Sequence, residues 1–199
     1  MTAEPPPSAS TGRWPAPPQD GYTVDDFFSL PDLPPHTGLV DGSLVFASPQ
    51  RDFHSTVVDL LVNGLRTAVL EHCRVRRETA VVPTDRTAPE PDLCVLRAEA
   101  VRSRRQARYE AGDVVLAVEV VSPDSEEGDR DTKPHEYARA GIQHFWRVEM
   151  TGEDDLPVVH VHELDSATRS CVVTGIRHDR LKLTVPFDVG IDLTAVDRM

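Results

Sequence analysis

The stretch Asp113–Ser122, DVVLAVEVVS, narrows the fold more than any other part of the chain. Apart from Glu119, every residue from Val114 to Val121 is apolar, and most are β-branched. A strand that is apolar on both faces belongs at the centre of a sheet covered on both sides. The chain must therefore supply covering layers, which places it in the α/β (α+β) class. Glu119 is the exception to explain. A carboxylate inside such a strand loses its hydration, at a cost of several kcal/mol unless a cation or metal offsets it.

The rest of the sequence supplies those layers. YTVDDFFSLP predicts a short helix with Thr23 as its cap. Residues 38–48, GLVDGSLVFAS, predict a hairpin turning at Asp41-Gly42. Residues 54–72 carry apolar side chains at 57, 58, 61, 65, 69 and 70, the spacing of an amphipathic helix. Strands are expected at 75–83, 91–96 and 113–122, and later at 142–150, 156–164, 170–175 and 181–185. Between these sets, DRDTKPHEYARAG predicts a helix starting near Thr132, so that Pro134 falls in its first turn, and closed by Gly141. The expected sheet is mixed, with the long helix across one face. Residues 1–20 are proline-rich and without periodicity, an arm with too little apolar surface to fold. Residues 21–199 then form one domain.

Charge and composition limit the functions available. No apolar run is long enough to cross a bilayer, and the N-terminus lacks the apolar core of a secretory signal, so a cytoplasmic protein without membrane contact is expected. The three cysteines lack metal-type spacing. A net charge of −12 opposes non-specific nucleic-acid binding. Arginines nevertheless cluster in RAEAVRSRRQAR (97–108), where Arg102, Arg104 and Arg105 are candidates for contact with nucleic acid. The same residues also read as a solvated loop.

Three charged residues carry the candidate chemistry: Asp92 at the start of a strand, Glu119 within one, and Lys133 at the start of a helix. Carboxylates on adjacent central strands, meeting at one sheet end, make an oxygen-rich site suited to Mg²⁺ or Mn²⁺. A nearby ammonium could orient water and meet charge on a phosphate. Together these are the parts of metal-assisted phosphodiester hydrolysis. Simpler readings stand beside them. Asp92 could end a turn after Pro89 and Pro91, Glu119 could pair with a buried arginine, and Lys133 could be a solvated helix residue. His160 and His162, on one strand face, read as polar lining before they read as metal ligands.

PEPDLCVL, followed by VVLAVEVVSPDSEEGDRDTKPHEYARAGIQHFWRVEM, resembles the Uma-two family of restriction endonucleases, within the PD-(D/E)xK nuclease superfamily. The resemblance runs from about residue 22 to the C-terminus and includes LVDGSLVFASPQRDFHSTVV. It implies a restriction endonuclease-like mixed β-sheet core flanked by helices, with additional antiparallel strands. It makes Asp92 the aspartate of the motif and Glu119 its (D/E) residue, with the Val120 carbonyl facing the metal. The motif lysine would fall at Val121, so Lys133 takes its role. His54 is placed near the site mouth, and Tyr137 in packing or phosphate contact. Gly38 stands where the family usually carries a glutamate. The resemblance further implies DNA as substrate and a homodimer. The alternative is a nuclease-fold protein of weak or no activity that acts as a binding or regulatory module, which the acidic charge and Gly38 favour.

Overall fold

The computed structural model describes residues 14–47, 49–69, 71–121, 133–153 and 155–199. Most of the proline-rich arm and the acidic loop around Ser122 lie outside the described residues. Near the N-terminus, Thr23 and Asp26 close a capping box over α1 (Val24–Ser29), each side chain satisfying a backbone N–H of the other end. A hairpin follows, β1 (Thr37–Val40) with β2 (Ser43–Phe46). Asp41 and Gly42 turn it with φ of 47° and 79°, the paired left-handed geometry that matches strand twist.

α2 (Asp52–Ala68) is the predicted amphipathic helix, begun two residues earlier and ended before His72. Its backbone turns extended at Val69, which leaves room to enter the edge strand β3 (Cys73–Arg77). Val57, Val58, Leu61 and Leu65 are wholly buried on one face of α2, each contributing about 2 kcal/mol of transfer free energy. The single strand expected at 75–83 is two strands. Glu78 adopts φ 47°, which ends β3 and turns the chain into β4 (Ala80–Val82). Next come β5 (Leu93–Arg97), then β6 (Arg108–Glu110), which pairs in parallel with β4, and β7 (Val114–Val120).

The second covering helix, α3 (Lys133–Arg139), begins at the first described residue after the loop; the predicted start at Thr132 lies outside the described residues. Gly141, at φ 75°, stands just past its end as expected. Three long strands follow, β8 (His144–Thr151), β9 (Leu156–Asp165) and β10 (Ser170–Arg177). A small ribbon of β11 (Arg180–Leu183) and β12 (Val189–Asp192) packs by α2.

The main sheet has the order β10-β9-β8-β7-β5-β3. Its β7–β8 pair is parallel and its other pairs are antiparallel, so it is mixed, with β7 inside it as predicted. Val118, Val120, Trp146, Val148 and Val161 pack toward α2. Cys94, Ala117 and Phe145 pack on the other face with Tyr137 and Ile142. Both faces are covered, which is what a β7 apolar but for Glu119 requires. Among the described residues, no helix is long and apolar enough to cross a membrane.

Candidate active site

Register brings the two carboxylates together. Leu93 pairs with Val118, so the antiparallel ladder sets Asp92 level with Glu119, and cross-strand partners share a face. That face is the one opposite α2. Glu119 is 1% exposed, deep enough that an unpartnered charge would be costly.

α3 supplies the partners. Lys133 Nζ lies 2.7 Å from Glu119 Oε2, and the Tyr137 hydroxyl donates a hydrogen bond to Oε1. Lys133 and Tyr137 are four residues apart, so one helical face presents both. Burial, then the charge of Glu119, holds the Tyr137 phenol well above its ordinary range. It therefore stays protonated and remains a donor. Of the simpler readings of Glu119, the structure gives a salt bridge, and one of its partners is Lys133.

Asp92 is fixed by the backbone beside Glu119. Val121 N–H bonds to the Val148 carbonyl on the β8 side, so Val120 turns its own N–H and carbonyl toward β5. That N–H donates to Asp92 Oδ2 at 2.7 Å. His54, buried in the first turn of α2, brings Nε2 within 3.0 Å of Asp92 Oδ1. The contact is a close approach, and Nε2 makes no directed hydrogen bond. The Asp92 side chain keeps 17% exposure against 2% for Glu119, so the site opens to solvent at Asp92. Asp92, Glu119, Val120, Lys133, His54 and Tyr137 thus form one contiguous network.

The donors are hard oxygens. Among the described residues no group of three or more His, Cys, Asp or Glu side chains converges as a metal cage. Mg²⁺ retains several waters and needs only one or two carboxylates, so Asp92 and Glu119 suit it, or Mn²⁺, better than a closed zinc site. At Gly38 an added Cβ would stand 3.6 Å from the Ala88 carbonyl oxygen, an ordinary contact. Space therefore does not demand glycine there.

Several polar residues near the site were not singled out in the sequence. Arg147 is the register partner of Glu119 across the parallel pair, and its Nε lies 2.6 Å from Glu149 Oε1. Alternation along HFWRVEM, set against that of β7, would have placed both on the face of Glu119. Glu90 stands beside His36, their closest atoms 3.9 Å apart, and its carboxyl is pushed up mainly by burial, against His36 and with help from Glu78 and Asp92. His162 is buried rather than part of an open polar face. It is 3% exposed, its ring packs on Phe145, and burial pushes its pKa down. His160 lies 3.9 Å from Glu149. Arg102, Arg104 and Arg105 sit in an exposed loop and do not join the carboxylates.

A family model described as "Uma2: Putative restriction endonuclease" matches residues 24–195. A crystal structure described as "a putative nuclease belonging to DUF820 from Anabaena variabilis" is similar in fold, with a TM-score of 0.65 at 16% sequence identity. The similarity covers 88% of this chain and 97% of that one. No curated protein matches the chain by sequence.

Proposed function

The chain belongs to the Uma2 restriction-endonuclease family, and from that premise we propose that it is a metal-dependent nuclease that hydrolyses the phosphodiester bonds of DNA. The observation that carries this reading is Glu119, fully buried in β7, level with Asp92 and paired with Lys133. A structural ion pair needs only one carboxylate and one cation. A second carboxylate, opening to solvent and oriented by the Val120 N–H with His54 beside it, adds what metal binding requires.

Asp92, Glu119 and the Val120 carbonyl are the groups that would hold Mg²⁺ or Mn²⁺. When bound, such an ion supplies a water of lowered pKa and a Lewis acid for the phosphoryl oxygens. Tyr137 and Lys133 fix the Glu119 carboxylate, and the Val120 amide fixes that of Asp92 with His54 close against it, so neither has to reorganise. The Lys133 ammonium, beside Glu119, holds its protons where it can orient water and meet the charge that grows on the phosphate.

A second reading, a nuclease-fold protein that binds without efficient cleavage, is favoured by Gly38 and the net charge of −12. Calorimetric titration with Mn²⁺ separates the two at the level of the metal. Wild type is expected to bind Mn²⁺, and Asp92→Asn and Glu119→Gln to weaken it at least tenfold with the fold retained by circular dichroism. Equal Mn²⁺ affinity in all three proteins would remove both carboxylates from the proposed centre.

A further inference from the structure

A hollow of about 530 Å³ lies outside the carboxylate network, between β3 and the loop that follows β5. Arg76 reaches it from β3, and Arg102 and Arg104 from the loop, with Thr79, Ser103 and Gln106 completing a polar lining that, among the described residues, contains no carboxylate. That is unusual in a chain with 33 acidic and 21 basic residues. Some surface arginines pair with acids, as Arg77 does with Asp59, Arg108 with Asp25 and Arg198 with Asp192. Among the described residues, Arg76, Arg102 and Arg104 form no such pair.

The loop is shaped before any ligand arrives. The Gln106 side-chain carbonyl accepts from Arg102 N–H at 3.1 Å, while its amide donates to the Arg108 carbonyl at 3.0 Å. Ser103 Oγ accepts from Arg105 N–H at 3.1 Å, and Arg105 itself stands outside the lining. Arginines on a pinned loop, around a concavity with no acid among its described lining residues, make a phosphate-binding surface. The hollow also lies at the right end of the sheet. Glu78 N–H, one residue before Thr79, donates to the Asp92 carbonyl at 3.1 Å. Arg76 is one strand and two residues from the position of Asp92, about 8 Å in a regular sheet.

We propose that this hollow is a docking site for the phosphate backbone of nucleic acid, with Arg76, Arg102 and Arg104 as its contacts. It rests on the nuclease reading for its ligand but not for its geometry. It also accounts for how an acidic protein could hold a polyanion, because local positive potential in a concavity persists against an unfavourable net charge.

Binding of a fluorescent duplex and a fluorescent single strand, read by anisotropy in EDTA over a range of salt, tests it apart from cleavage. Arg102→Ala/Arg104→Ala is expected to weaken binding about tenfold or more, without regard to sequence. The slope of log K against log salt should fall by about 2, roughly one per arginine. Arg180→Ala/Arg198→Ala changes net charge equally at a distant surface and controls for it. Thermal melts confirm that both variants fold. Unchanged affinity and slope in the loop variant, or an equal loss in the control, would overturn the proposal. So would a wild type that binds inorganic phosphate but neither oligonucleotide at low salt. If docking holds while purified wild type cleaves nothing, the hollow stands and the nuclease reading fails.

Discussion

Lys133 and Tyr137 divide one carboxylate between them, a cation on Oε2 and a neutral donor on Oε1. In Tyr137→Phe the ring still packs against Phe145, but Glu119 loses one hydrogen bond in a site with almost no access to water. A hydrogen bond to a charged group contributes about 1.5–3 kcal/mol, so urea denaturation should show a loss of that size. An unchanged midpoint would mean that the phenol does not serve Glu119. Glu119 was legible in the sequence because it breaks an apolar strand, whereas Lys133 was legible only through the resemblance. Their pairing fits the displaced lysine of the family pattern. Val121 is 7% exposed, and the ammonium arrives from α3 instead. The contact of His54 with Asp92 was legible only through the resemblance, since nothing local relates residues on α2 and at the start of β5. Arg147 escaped notice because its place beside Glu119 depends on pairing between β7 and β8.

At the scale of elements, α2 could be read from its apolar period and β7 from its composition. Each has enough residues for a pattern to repeat. β6, with 3 residues, and β12, with 4, are too short for alternation to show. The break at Glu78 was equally silent, because a left-handed φ at a residue other than glycine leaves no mark in composition. Gly64 is a related case. It lies within α2, where glycine costs about 1 kcal/mol relative to alanine. An added Cβ would stand 2.5 Å from the buried side chain of Ile191, so glycine lets α2 close on β12. Overpacking of this kind costs about 1–3 kcal/mol, which exceeds the gain in propensity. Gly64→Ala should therefore lower stability by about 1 kcal/mol in thermal or chemical denaturation. A stabilised variant would show that the contact between α2 and β12 is looser than it looks.

For the molecule as a whole, a mixed sheet covered on both faces brings Asp92 and Glu119 to one end and leaves Asp92 partly open. The basic hollow adjoins the same end through β3 and Glu78. Net charge of −12 gave no sign of that arrangement, because a sum over residues hides where unpaired arginines collect. The proposed chemistry requires that these two carboxylates hold a metal ion that serves phosphodiester hydrolysis. Cleavage of supercoiled plasmid with Mg²⁺ or Mn²⁺, by wild type and Glu119→Gln purified identically, tests it most directly. Nicking and linearisation by wild type, abolished by EDTA and at least a hundredfold slower in Glu119→Gln, is the predicted result. Equal rates in the two proteins, or no metal-dependent cleavage by wild type, would contradict it.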